Sequence, residues 1–127
     1  MTEPIFVNFE QVLRAHAKSL EAFGGSKGIR DPGLLSGAVD QPLNDYYYAG
    51  ADLLGIAAAY AFHIGQAQAF LDGNKRTAVA VALAFLEQNG VQTNPNTARL
   101  YDAMIGIAER RLTKSDLAEE FRALFRS

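Results

Sequence analysis

The sequence predicts an all-α fold, a compact bundle of six helices. Three observations carry that expectation. Apolar residues recur at three- and four-residue steps through most of the chain, and no segment sustains the period-two alternation of a half-buried strand. Two Ala-rich stretches are also apolar on nearly every side, and such helices have to be enclosed by other helices. With 127 residues, 49% hydrophobic and 20% charged, the chain suits one domain over 1–127 with one buried core.

The first helix follows Asn8, a capping residue, and carries Phe9, Val12, Leu13, His16, Leu20 and Phe23 before Gly24-Gly25 stops it. A short second helix opens at Asp31-Pro32, a cap followed by a residue suited to the first turn, and Pro42 interrupts it. Residues 42–50, PLNDYYYAG, show no helical stripe and hold consecutive tyrosines between turn formers, so a hairpin-like flap or a surface turn is expected there. Asp52 to Gln68 and Asn74 to Asn89 are the two nearly all-apolar segments, the second ended by Asn89-Gly90. A fifth helix is expected over Thr97 to Arg110, with Leu100, Tyr101, Met104, Ile105 and Ala108 on one side. The sixth begins at TKSD, where Thr113 caps and Asp116 stands near the capping-box position, and shows Leu117, Phe121, Leu124 and Phe125.

Bulk properties exclude several function classes. Lys and Arg number 12 against 14 Asp and Glu, a net charge of −2 that argues against bulk attraction to nucleic acid or an anionic membrane. No recognition helix rich in Arg and polar base-readers is visible either. There is no cysteine, hence no disulfide or thiolate metal site, which is compatible with a reducing cytoplasm. The N-terminus has an acidic residue and a short, interrupted apolar run, unlike a signal peptide or membrane span, so the mature chain is expected to start near Met1 and to be cytoplasmic.

The chemistry concentrates between the two central helices, where AFLDG is followed by NKRT. A helix start exposes free N–H groups and the positive end of the macrodipole, so Lys75 and Arg76 there are unfavourable unless an anion joins them. Gly73 permits a sharp turn or a close backbone approach, and Arg76 offers a planar fork matched to phosphate oxygens. Asp72 beside a phosphate is repulsive unless a cation intervenes, and Mg²⁺, held by one carboxylate plus phosphate oxygens and water, is the natural candidate. As isolated residues these have a plainer reading, an Asp cap with two solvated cations. A Walker A loop fails, because no Gly lies five residues before Gly73 and a helix precedes the loop.

FLDGNKRTA resembles the signature of the Fic/Doc family, which reads H-x-F-x-[DN]-[AG]-N-K-R in its Doc branch and H-P-F-x-x-G-N-G-R-x-x-R in the broader Fic branch. Lys75 stands where the Fic pattern has its second Gly and Val79 where it has its second Arg, so the Doc branch is the closer match. FGGSKGIRDPGLL and LAFLEQNG are similar to that branch too, and the resemblance covers essentially the whole chain. It implies a Fic/Doc-type bundle and a toxin of a toxin–antitoxin pair that phosphorylates a protein hydroxyl with ATP and Mg²⁺, the acceptor being a threonine of elongation factor Tu. A Phd-like antitoxin whose C-terminal segment folds into a groove is the implied partner. By position, Gly73, Asn74, Lys75 and Arg76 are implied phosphate ligands, Asp72 the metal ligand and Phe70 the buried anchor of the loop. The flap that positions a target chain by main-chain pairing is expected at Asn44, Asp45 and Tyr46.

One departure matters. The family's catalytic histidine should occupy position 68, and this chain has Gln68, flanked by Ala67 and Ala69 where relatives often carry Asn and Pro. An amide cannot take a proton near neutral pH, and general-base catalysis contributes ~10²- to 10⁴-fold, roughly 3 to 5 kcal/mol of barrier. His63 lies five residues earlier on the same expected helix, so it faces elsewhere, about 140° away at about 100° per residue. His16 sits in the apolar stripe of the first helix and is expected to be a hydrogen-bonded structural residue. Phosphoryl transfer depends mainly on positioning and charge neutralisation, and a glutamine orients the attacking water in small GTPases. Gln68 is therefore expected to orient a hydroxyl while Lys75 and Arg76 stabilise the phosphates. The alternatives are AMP transfer, as in typical Fic proteins, and a catalytically silent nucleotide-binding or interaction module.

Overall fold

The computed structural model describes residues 3–93 and 97–125, and the expected start near Met1 lies outside them. The described residues form six α-helices in order: α1 Phe9–Phe23, α2 Pro32–Ala49, α3 Leu53–Ala67, α4 Asn74–Gln88, α5 Thr97–Ala108 and α6 Lys114–Phe125. The fold is all-α, and among the described residues no helix is long and apolar enough to cross a membrane.

α3 is the centre. Ile56 through Ala61 and Ile64 are all buried, because α2, α4, α5 and α6 all pack against this helix. Its small side chains let those neighbours approach closely, and Tyr60 supplies bulk and a polar handle. The Tyr60 hydroxyl accepts from Val7 N (2.9 Å) and donates to Val7 O (3.1 Å), which ties the N-terminal segment to the core. α1 lies across α4, and its start is closed by a reciprocal box between Asn8 and Gln11. The box at Thr113 and Asp116 forms as expected before α6.

The flap expected at 42–50 is not there. Those residues form the second half of α2, which runs through Pro42 to a left-handed Gly50 cap, so Asn44, Asp45 and Tyr46 are helical and their main-chain groups are spent within the helix. A mid-helix proline costs about 3 kcal/mol. Here Leu35, Ala38, Val39 and Pro42 are buried together, and tertiary burial outweighs the lost hydrogen bond. Of the tyrosines, Tyr46 packs edge-on to Phe6 at 5.8 Å, whereas Tyr48 is 87% exposed.

α2, α3 and α6 are also joined by charge. Lys114 Nζ donates to Asp45 Oδ2 (2.7 Å) and to His63 Nε2 (3.3 Å). Burial, reinforced by the Lys114 charge and opposed by Asp45, lowers the His63 pKa from 6.5 to about 4. The folded protein therefore keeps His63 neutral while the unfolded chain protonates it, and this stability is present above pH 6.5 and lost as pH falls towards 4. After discounting for partial exposure, urea unfolding of the native protein should lose about 1 kcal/mol more between pH 7 and 5 than that of His63→Gln. Equal losses would remove His63 from the pH response.

Candidate functional site

The site is built by the six-residue break between α3 and α4, residues 68–73. α3 ends because Gln68 adopts the left-handed conformation (φ 47, ψ 44), which costs a non-glycine residue roughly 1–2 kcal/mol. Gly73 enters the same region (φ 77) without that cost and starts α4. Between them Phe70 is 1% exposed and stacks on the His16 ring at 3.7 Å and 8°. The Asn74 side chain clamps both main-chain groups of Phe70, its Oδ1 accepting from the N–H and its Nδ2 donating to the carbonyl, each at 3.0 Å. His16 Nε2 donates to the Asp72 carbonyl oxygen (2.8 Å), so that nitrogen carries the hydrogen and His16 is the structural residue its position suggests.

These contacts leave the start of α4 open. The side chains of Asn8, Asp31 and Asp52 cap α1, α2 and α3, but Gly73 puts no side-chain cap on α4. Among the described residues neither Lys75 nor Arg76 forms an ion pair. Arg76 lies over the Phe23 ring, 4.4 Å from its centroid, a cation–π contact on an exposed aromatic. Positive charge and free amides thus converge, and among the described residues Asp72 is the one carboxylate that shares the cavity lining with them. One Asp72 oxygen accepts from Ser26 N (2.9 Å), and the other accepts no hydrogen bond from a described residue. That free oxygen suits one bond to a Mg²⁺ arriving with phosphates; a cation cage of the protein's own is absent among the described residues.

A cavity of about 440 Å³ opens on this surface. Gln68, Asp72, Gly73, Asn74, Lys75 and Arg76 form one wall, so the structure brings the loop residues singled out by sequence together. The opposite wall is α5, with Tyr101, Met104, Ile105 and Ala108. Of the residues expected together on one side of α5, Tyr101, Ile105 and Ala108 line this space, while Leu100 and Met104 are buried with Ala103 and Ile107 in the core. Burial raises the Tyr101 pKa, with the Arg76 charge acting the other way. One polar, cationic wall and one apolar wall match a phosphate tail joined to a flat hydrophobic group. A larger cavity, about 670 Å³, beside Glu3 and Asp52 has no Lys or Arg among the described residues of its lining.

Asn44, Asp45 and Tyr46 are not in the lining of the cavity beside Lys75 and Arg76, and Tyr46 lines the larger one. Asp45 faces Lys114 instead. His63 is bound to the same lysine, on a face of α3 away from Gln68. The segment that does lie against the loop is 25–30. Ile29 bridges Phe70 in antiparallel fashion, flanked by Arg30 N to Ala69 O (2.6 Å) and Leu71 N to Gly28 O (3.1 Å). Gly25 permits the approach, since a Cβ there would stand 3.2 Å from Asp72 Cβ and its φ is 120. Arg30 also donates from Nη2 to the Gln68 carbonyl oxygen (2.5 Å). Sequence reasoning missed Arg30 and the α5 wall, because both reach the loop only through long-range packing.

The sequence model of the Fic/DOC family matches residues 6–86. The chain is similar to a protein kinase doc of Escherichia phage P1, 31% identical over 119 residues that cover 93% of this chain and 94% of that protein. It is likewise similar to a toxin Doc of Mycolicibacterium smegmatis, 39% identical over 124 residues, covering 94% and 92% respectively.

Proposed function

The chain belongs to the Fic/DOC family, and from that premise we propose that it is a Doc-like toxin which moves the terminal phosphate of ATP to a protein hydroxyl. The observation that carries the reading is the uncapped start of α4, with Lys75 and Arg76 forming no ion pair among the described residues at the mouth of a cavity whose other wall is apolar. The amides of Asn74 to Arg76, the Lys75 ammonium and the Arg76 guanidinium hold the phosphates, and the α5 wall takes the nucleoside. The Asn74 side chain serves the loop, so its share in phosphate binding is its main-chain N–H. Asp72 holds Mg²⁺ through its free oxygen, and the metal supplies neutralisation of phosphate charge.

Gln68 orients the acceptor hydroxyl by hydrogen bonding. As the acceptor oxygen bonds to phosphorus and the bond to ADP breaks, the hydroxyl proton leaves to solvent, because neither Gln68 nor the committed His16 takes it. The target chain docks by strand addition at 27–30, in place of the role expected of Asn44, Asp45 and Tyr46. In the Ile29–Phe70 pairing pattern the N–H and C=O of Ile29 turn away from the loop, and so form a usable edge. A threonine of elongation factor Tu is the candidate acceptor, a Phd-like antitoxin the candidate silencing partner, and the cytoplasm the place where both meet the chain.

Labelled ATP separates this reading from its rivals. Incubation with Mg²⁺ and cell extract should move label from the γ position to protein, while label arriving from the α position would make the chain an AMP transferase. The lack of any base at position 68 favours a second reading, a nucleotide-dependent binding module; transfer by Gln68→His alone would establish it. In either case Lys75→Ala combined with Arg76→Ala should weaken ATP binding in calorimetry by about 10- to 100-fold, two charged hydrogen-bonding groups being lost. Both side chains are exposed, so the melting temperature should hold. Unchanged affinity would show that the phosphates bind elsewhere.

A further inference from the structure

Arg30 holds two consecutive carbonyls of the loop, one with each part of itself. Its guanidinium donates to the Gln68 oxygen at 2.5 Å, 38 positions away in sequence, and its main-chain N–H to the Ala69 oxygen at 2.6 Å. The peptide plane between those carbonyls follows the loop's left-handed glutamine (φ 47). Among the described residues the Gln68 side chain makes no hydrogen bond that would hold this backbone, so the conformation is imposed from outside. A backbone conformation fixes where the Cα–Cβ bond points, and Gln68 lines the cavity with Asp72, Lys75 and Arg76. Arg30 is not part of the cavity wall, so it is not placed to hold phosphates directly.

We propose that Arg30 is the positioning residue of this site: it locks the Gln68 peptide and thereby aims the Gln68 amide at the acceptor hydroxyl, with little effect on nucleotide binding. The proposal rests on the transferase reading above. The guanidinium suits the task, since its planar fork is held in a fixed direction by fewer frozen bonds per contact than a lysine ammonium. A chain without a base at position 68 depends on such aim, because orientation is what its amide contributes.

The test uses Arg30→Ala and Arg30→Lys, each in the native chain and in Gln68→Gly, with two readouts. In urea unfolding, Arg30→Ala should lower the midpoint of the native chain and shift that of Gln68→Gly less than about half as much, since glycine enters the left-handed region unaided. Equal shifts would overturn the lock. In steady-state transfer with ATP and Mg²⁺, Arg30→Ala should lower kcat about tenfold and leave KM for ATP within about twofold, while Arg30→Lys recovers part of the loss. A rise in KM with kcat unchanged would make Arg30 a nucleotide ligand and overturn the proposal. A native protein that transfers no phosphate would end the transferase reading, and the unfolding comparison would still decide whether Arg30 holds Gln68.

Discussion

Gln68→His is expected to raise the transfer rate ~10²- to 10⁴-fold, the range of general-base catalysis. The backbone at this position is left-handed, and histidine is among the non-glycine residues enriched there, so the change should not disturb the loop. Residue 68 already lines the cavity with Asp72, Lys75 and Arg76, which places an imidazole there beside the proposed phosphate site. The pH profile should change as well. With a histidine base the rate should climb through about pH 6.5 as the imidazole loses its proton, whereas the native protein should be nearly flat there. A gain confined to KM, or no gain, would mean that proton removal is not what limits this site.

Phe70→Ala should be the most damaging change to the fold near the loop, costing about 3–5 kcal/mol in urea unfolding. Phe70 is almost fully buried, its ring stacks on His16, and both its main-chain groups are clamped by Asn74. Removing the ring leaves His16 without its partner face and opens a cavity under the loop. The hydrogen bond from His16 to the Asp72 main-chain oxygen should loosen with it, and that bond fixes the backbone just before Gly73. ATP affinity should therefore fall even where the variant is still folded. Phe70→Leu keeps most of the burial and should lose less than half as much stability. A Phe70→Ala protein within about 1 kcal/mol of native stability would show that the loop does not depend on this anchor.

Much of the fold is legible along the chain, for local reasons. The caps at Asn8, Asp31 and Thr113 are short-range hydrogen bonds between residues close in sequence, and each forms as expected. α3 and α4 are recognisable because an apolar surface on all sides has only one stable environment. Pro42 misleads for the converse reason. Its local cost is read easily from sequence, while the burial of Leu35, Ala38 and Val39 that outweighs it depends on where α3 lies. The apolar side of α5 is recognisable from sequence but its neighbour is not, because an apolar stripe looks identical whether it meets the core or lines a cavity.

By itself the sequence determined that the fold is helical, that a helix opens after Gly73 with two cations, Lys75 and Arg76, in its first turn, and that position 68 lacks a base. Only the tertiary structure decided that the glutamine there turns left-handed, that Arg30 holds its carbonyl, that α5 closes the cavity and that 25–30 rather than 42–50 lies against the loop. Helix period, caps and the charge of a helix start are set within a few residues. Contacts across tens of residues exist only after the core has packed, and they select among backbone conformations that local sequence leaves close in energy.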